Sequence, residues 1–151
     1  MQFQVHRLAL DLRGLTVSRA YRSYASMIHF HFGPLQEWYR HHGKQSYRGA
    51  FGLMVEIAAW TIAQHRATLA TDASSDGAID RVLERFPGRR IMHIRFGREL
   101  SEFACDNGLR LSLSPRGPEW GPFDRLENWT LFHGDSAALA LTKRGRLVLC
   151  G

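Results

Sequence analysis

The 151-residue sequence has few of the residues that announce a particular chemistry. It has two cysteines, Cys105 and Cys150, and neither stands in a CxxC or CxxH pattern. Two such cysteines are too few for a disulfide framework, so we expect both thiols to be reduced. The glycines form neither a GxGxxG nor a Walker loop, and those are the patterns that cradle nucleotide phosphates. We therefore expect no cofactor.

The sequence also lacks a long apolar run. No stretch approaches the roughly 18 apolar residues that a membrane-spanning helix needs. The beginning, MQFQVHRLALDLRG, has no basic region followed by an apolar core and a cleavage site. With 44% hydrophobic residues, the chain can bury the core of a single domain. These features predict a cytoplasmic protein with no membrane partner.

Lysine is scarce, and arginine supplies most of the positive charge. The only lysines are Lys44 and Lys143, although 20 basic residues against 14 acidic ones give a formal net charge of +6. One explanation is a GC-rich coding sequence, which favours arginine codons. Another is an acidic partner, because arginine makes paired hydrogen bonds with carboxylates and phosphates. Nucleic-acid binders usually concentrate their charge on one element, whereas these arginines are spread along the chain. The spread of charge therefore disfavours nucleic acid, which stays as the alternative to a protein partner.

Alternation of apolar and polar residues predicts strands over most of the chain. Residues 26–32 place His29 and His31 on one face, with Ile28, Phe30 and Phe32 on the other, which is the period of a strand. Residues 51–70 fit either one helix or two strands joined near residues 64–66. Residues 35–49 are predicted as a short helical turn or a long loop. Asn107-Gly108 marks a tight turn between two further strands.

One helix is clear, at residues 76–86. Ile79, Val82, Leu83 and Phe86 have the spacing of a single apolar helix face. Ser75 is one of the candidates to cap its beginning, and Pro87-Gly88 ends it. The predicted fold class is therefore α+β, mainly β.

Similar short segments occur in the same order in both halves of the chain. MIHFHFG at 27–33 resembles IMHIRFG at 91–97. The other matches are Gly52-Leu53 with Gly108-Leu109, Trp60 with Trp129, and Leu69-Ala70 with Leu139-Ala140. They predict an internal duplication within one domain, with related halves at about 1–75 and 88–151 and the helix between them. The duplication also favours strands over a helix for residues 51–70.

Histidines are the strongest candidates for chemistry. His29 and His31 share one face of a predicted strand, and His93 lies in the second of the two similar seven-residue segments, here called heptads. Histidines on neighbouring strands can bind zinc, but no carboxylate or further cysteine stands at metal spacing beside them. A small histidine-based metalloenzyme is therefore the least favoured hypothesis. We expect no catalytic residues and no metal.

Aromatic and arginine residues in predicted loops indicate a protein partner, because interface cores are enriched in both. An alternative is that these aromatics pack onto the core. The candidate partner-binding residues are Trp38, Tyr39, Arg40, Tyr47, Arg48, Arg116 and Trp120.

Marks along nearly the whole chain resemble a family of small bacterial proteins of unknown function. The marks in the sequence are Ala25, Met27, Phe32-Gly33, Gly52-Leu53, Val55, Trp60, Ile62, Asp76, Gly108-Leu109, Leu111-Ser112, Pro115 and the segment ENWTLF at 127–132. Such proteins resemble immunity proteins encoded beside secreted polymorphic toxins. The resemblance implies a non-catalytic protein that binds a cognate toxin domain and occludes its active site. A nucleic-acid-binding module is the alternative.

Overall fold

The computed structural model describes residues 1–39, 45–117 and 126–150, with only the backbone of residues 38, 39, 45 and 46. The described residues form two helices and thirteen strands, so the α+β, mainly β prediction is confirmed. The helices are α1 (Gln2–Leu12) and α2 (Asp76–Leu83). The strands are β1 (Val17–Arg22), β2 (Ile28–Phe32), β3 (Gln36–Tyr39), β4 (Gln45–Arg48), β5 (Phe51–Val55), β6 (Ala59–Gln64), β7 (Ala67–Thr71), β8 (Ile91–Arg95), β9 (Ser101–Cys105), β10 (Leu109–Ser114), β11 (Trp129–His133), β12 (Ser136–Leu141) and β13 (Leu147–Leu149).

Two antiparallel sheets pack against each other around one core. The six-stranded sheet has the order β1-β2-β5-β11-β12-β13, and the five-stranded sheet has the order β7-β6-β10-β9-β8. Phe30 and Phe32 of the first sheet meet Phe103 of the second edge to face, with ring centroids 5.1 and 5.5 Å apart. Edge-to-face pairs stabilise a core beyond the area that they bury. Strands β3 and β4 form a separate hairpin in the segment of chain that connects β2 to β5.

The clear helix forms as its periodicity predicts, although it is shorter. Helix α2 ends at Leu83, and Phe86 follows in a turn where it is fully buried. Ser75 caps the beginning of α2, because its hydroxyl accepts the N–H of Ala78 at 3.2 Å. Pro87-Gly88 still ends the apolar pattern, so the stop signal acts one turn after the last helical residue.

Two predictions for local structure were incomplete or wrong. Residues 51–70 hold three strands, β5, β6 and the start of β7, where two were expected. The structure breaks the first expected strand at residues 56–58, whose N–H groups donate to the carbonyls of Glu127 and Asn128. Residues 36–39 and 45–48 form a hairpin where a turn or loop was expected.

Helix α1 is a second helix that the sequence pattern did not reveal. Its buried side is narrow, since Leu12 is fully buried while Val5 and Leu8 are only partly so. Phe3 and Leu10 are more than half exposed, which blurs the apolar stripe. Its N-cap residue, Met1, makes no side-chain capping hydrogen bond. A helix without a cap and with a weak stripe gives little signal.

The two sheets share one strand order when each strand is exchanged for a counterpart in the other half of the chain. The exchange swaps β1 with β8, β2 with β9, β5 with β10, β6 with β11 and β7 with β12. It converts β1-β2-β5-β11-β12 into β8-β9-β10-β6-β7. That product is the whole of the five-stranded sheet. Each sheet therefore combines strands from both halves of the chain.

The pairing registers agree with this correspondence of strands. Trp129 of β11 pairs with Val55 of β5, and Trp60 of β6 pairs with Leu113 of β10. Strand β6 pairs with β7, and β11 pairs with β12. In both pairs the register shifts at the same place, immediately after the second residue beyond the tryptophan. Irregularities also occur at matching places in the β1–β2 and β8–β9 pairs. These features support the predicted duplication, which remains a prediction.

The correspondence differs from most of the sequence matches. The heptads at 27–33 and 91–97 cover β2 and β8, whereas β2 corresponds to β9 and β8 to β1. Trp60 and Trp129 do correspond, and both are buried. Ala70 corresponds to Leu139, because these residues pair with Ile62 and Leu131. The heptads are similar because alternation of apolar residues gives similar short sequences on any strand.

Candidate functional site

A groove lies on the outer face of the six-stranded sheet, beneath the end of the β3–β4 hairpin. Alternation in β2 turns Phe30 and Phe32 into the core and leaves His29 and His31 on this outer face, as the sequence predicts. The groove encloses about 230 Å³. We call it the hairpin groove, and its lining residues are Arg19, Tyr21, His29, Phe30, His31, Tyr47, Arg48, Gly49, Gly52, Leu53, Met54, Phe132 and Gly134.

Strand β1 contributes a cation and an aromatic ring in a fixed arrangement. The Arg19 guanidinium carbon lies 4.3 Å from the centroid of the Tyr21 ring. The Tyr21 ring is parallel to that of His29, with centroids 4.8 Å apart, and lies 6.0 Å from that of His31. A cation over an aromatic face is attracted to the ring and gains order from it.

The hairpin joins the sheet through His31. The Gly49 N–H donates to His31 Nδ1 at 3.3 Å, so the neutral ring carries its proton on Nε2. A Cβ atom on Gly49 would lie 2.5 Å from the Phe32 carbonyl oxygen. Glycine at this position therefore lets β4 approach β2 closely enough to close one side of the hairpin groove.

Both histidines of the hairpin groove are held in the neutral form. Burial, together with the nearby charges of Arg19 and Arg48, lowers the pKa of His31 to about 4. Burial, with Arg19, also lowers the pKa of His29. The Ser23 hydroxyl lies 2.7 Å from His29 Nε2. At neutral pH the positive charge of the hairpin groove therefore resides on arginine, and no described lining residue is acidic.

The corresponding face of the five-stranded sheet is built differently. In the six-stranded sheet, His31 of β2 pairs with Gly52 of β5. At the corresponding place in the five-stranded sheet, Ala104 of β9 pairs with Arg110 of β10. The counterpart of His29 is Glu102, which lies 3.9 Å from His93 and 4.0 Å from Arg110. Strands β9 and β10 are joined by residues 106–108 alone, whereas the hairpin occupies residues 33–50. Of the two corresponding faces, the one on the six-stranded sheet therefore carries the hairpin groove.

The three histidines proposed as a metal site do not come together. His29 and His31 lie on β2 of the six-stranded sheet, whereas His93 lies on β8 at the edge of the five-stranded sheet. Over residues 1–39, 45–117 and 126–150, no group of three or more His, Cys, Asp or Glu side chains is placed to hold a metal ion. The sequence match of His93 with His29 does not hold in the structure, because the two similar segments cover strands that do not correspond.

The predicted partner-binding residues fall in several places. Tyr47 and Arg48 line the hairpin groove, and the backbone of Trp38 and Tyr39 lies in β3. The structure does not describe Arg40 and Trp120. Arg19, Tyr21 and Met54 also line the hairpin groove and were not among the candidates. Strand alternation puts them on an outer face, but nothing local shows which strands are neighbours.

Arg116 makes contacts within the protein. Its guanidinium forms an ion pair with Asp72 and donates to the Ile57 carbonyl at 3.2 Å. Its backbone N–H donates to the Asn128 side chain at 2.8 Å. These contacts join segments that follow β5, β7 and β10, so Arg116 helps to fix the architecture. Its predicted role toward a partner stays a prediction.

Comparisons of the chain with known protein families, curated proteins and solved structures find no match. In the described part of the chain, neither helix has the length and apolar character required to cross a membrane.

Proposed function

We propose that this protein is a non-catalytic inhibitor of the immunity type, which binds a cognate toxin domain and covers its active site. The sequence marks that resemble immunity-type proteins support this proposal, together with the position of Tyr47 and Arg48 in the hairpin groove. In this proposal the protein acts in the cytoplasm and needs no cofactor. It works by steric occlusion.

The observation that carries the proposal is the contrast between the two corresponding sheet faces. On the five-stranded sheet, the acidic side chain of Glu102 lies 3.9 Å from His93 and 4.0 Å from Arg110, so acidic and basic groups share that face. On the six-stranded sheet, Arg19 and Arg48 border a concave site with no acidic residue in its described lining. A basic concave surface with aromatic walls suits an acidic protein loop.

The test is binding to the C-terminal domain encoded by the gene adjacent to this one. We expect the two purified proteins to form a complex, and co-expression to relieve the toxicity of that domain. Gly52→Leu should weaken the complex at least about tenfold, because its side chain would fill the hairpin groove. The backbone has room for it, since the nearest atom to a Cβ at residue 52 is the Phe30 carbonyl oxygen at 3.6 Å.

A matched control is Thr68→Leu, which adds the same side chain at an exposed position of β7. It should bind the toxin domain like the wild type. The proposal fails if no complex forms with the wild-type protein. Wild-type affinity of a folded Gly52→Leu variant would place the contact surface elsewhere.

Nucleic acid is the second candidate partner, and the ring stack of Tyr21 and His29 beside Arg19 favours it. Bases stack on aromatic side chains next to cations in single-strand binders. This candidate predicts binding of single-stranded RNA or DNA, with an affinity that falls steeply as salt rises. Titration of a fluorescent oligonucleotide at several salt concentrations decides it, and absence of binding at low salt excludes it.

A further inference from the structure

The geometry points to the hairpin groove as a receptor for one carboxylate of the toxin, an aspartate or glutamate side chain held by Arg19 and Arg48. This inference rests on the proposed function and specifies the chemistry of its contact. The size of the groove, its charge and the ordering of its cations each support it.

The size of the hairpin groove fits one side chain. It encloses about 230 Å³, whereas pockets for small-molecule ligands and cofactors usually span about 300–1,000 Å³. A dinucleotide or a folded peptide segment is too large to be enclosed. An acidic side chain that projects from the surface of a partner can enter and bring its carboxylate to the floor.

The charge of the hairpin groove selects an anion. Arg19 and Arg48 both line the hairpin groove, and both contribute to the lowered pKa of His31, so two positive charges border one concave site. A carboxylate there would gain charge-assisted hydrogen bonds, which are stronger than neutral ones. A lysine or arginine of the partner would be repelled.

The ordering of Arg19 reduces the entropy that binding costs. Its guanidinium already stacks on Tyr21, which in turn stacks on His29. An arginine held in place before binding loses less side-chain freedom when it meets a carboxylate. The guanidinium of Arg19 on strand β1 is therefore already ordered before an anion binds.

His31 offers a readout inside the site. A carboxylate bound beside it would favour the imidazolium and raise the pKa of His31 from about 4. Filling the groove with a neutral group would only bury the ring further and lower the pKa. The direction of the change therefore separates binding of an anion from simple occupancy.

The first experiment uses the free protein and small probes, followed by NMR of the histidine rings. N-acetylglutamate amide carries one side-chain carboxylate, and N-acetylglutamine amide is its neutral control. We expect the glutamate probe to shift the His31 signals and raise its pKa, and the glutamine probe to do neither. Arg19→Gln and Arg48→Gln should abolish the effect, whereas Arg66→Gln, at an exposed turn, should keep it.

Equal responses to the two probes would overturn the inference. Inorganic phosphate is added as a third probe, and preferential binding of phosphate would overturn the assignment to an acidic side chain.

The second experiment measures affinity for the adjacent-gene toxin domain. Arg19→Gln and Arg48→Gln should each weaken binding by about tenfold or more, and Arg66→Gln should leave it unchanged. Wild-type affinity in both groove variants would refute the carboxylate receptor while the proposed function stands. If the wild-type protein binds no toxin domain, the proposed function fails, and the probe experiment alone decides the chemistry of the groove.

Discussion

At the scale of the residue, His31 shows how neighbours determine chemistry. Its place on β2 turns it outward, yet the hairpin covers it and the Gly49 N–H occupies its Nδ1. Burial and two nearby arginines then hold the ring neutral. A histidine that looks like a metal ligand in the sequence is thus a neutral hydrogen-bond acceptor in the groove floor.

The lowered pKa of His31 predicts how stability changes with pH. Its pKa is about 4 in the folded protein and about 6.5 when unfolded. Between these values the unfolded chain binds more protons, so the free energy of unfolding falls as pH drops from about 6.5 toward 4. His31→Asn should flatten this decrease, because an amide oxygen can accept from Gly49 without titrating. Urea unfolding at several pH values measures it.

The control for this prediction is His6→Asn, which changes an exposed histidine of α1. It should keep the wild-type dependence on pH. An equally steep decrease in the His31→Asn variant would show that other groups cause the effect.

The two cysteines should differ in reactivity. Cys105 is buried in β9, and burial, with Asp106, raises the pKa of its thiol to about 12. The thiolate is the reactive form, so a thiol reagent should modify Cys150 alone in the native protein. Both cysteines should react in denaturant. Rapid modification of Cys105 under native conditions would contradict its burial.

At the scale of the element, the β3–β4 hairpin depends on Gly49. An alanine Cβ there would meet the backbone of Phe32, with the nearest atom at 2.5 Å. We expect Gly49→Ala to push β4 away from β2 and to lower the free energy of unfolding by about 1–3 kcal/mol, the usual cost of overpacking. Urea unfolding gives the stability, and the ring signals of His31 report the loss of its hydrogen bond.

Gly52→Ala is the matched control, since a Cβ there has no neighbour closer than 3.6 Å. It should leave the stability at or above that of the wild type, because alanine costs less backbone entropy than glycine in a strand. A Gly49→Ala variant as stable as Gly52→Ala would show that the hairpin tolerates displacement.

Elements with complete local signals were predictable. Helix α2 has an apolar stripe, a Ser75 cap and a stop at Pro87-Gly88, and it forms close to the expected place. The turn at Asn107-Gly108 joins β9 and β10, with Gly108 at a φ of 83°. The break between β5 and β6 had no such signal, because its partners are the carbonyls of residues 127 and 128, far along the chain.

At the scale of the whole molecule, both sheets combine strands from both halves of the chain. Residues 1–75 alone lack β8, β9 and β10, and their apolar faces would have no partner. We therefore expect fragments 1–75 and 88–151 to remain unfolded when expressed separately. The full chain should unfold in one transition, with the same midpoint by tryptophan fluorescence and by circular dichroism.

A dispersed NMR spectrum from either fragment alone would contradict this expectation. Separate midpoints for the two probes in the full chain would also do so, because they would mean that parts of the two packed sheets unfold independently.

The candidate site was only partly visible in the sequence. The side-chain chemistry of Tyr47 and Arg48 indicates an interface, and both residues line the hairpin groove. Arg116 has the same chemistry, but it forms an ion pair with Asp72. Composition indicates which side chains suit an interface. Whether an arginine faces a groove or a partly buried carboxylate depends on residues distant in sequence.

The sequence by itself determined the fold class, the alternation that separates core from outer face, the beginning of helix α2 and the turn at Asn107-Gly108. These depend on periodicity, capping and turn chemistry, which act over a few residues. Only the tertiary structure decided which strands are neighbours, that β2 corresponds to β9, and that Arg19, His31 and Arg48 share one groove. Pairing between distant strands follows from how two apolar faces close over a common core, and no local pattern records it.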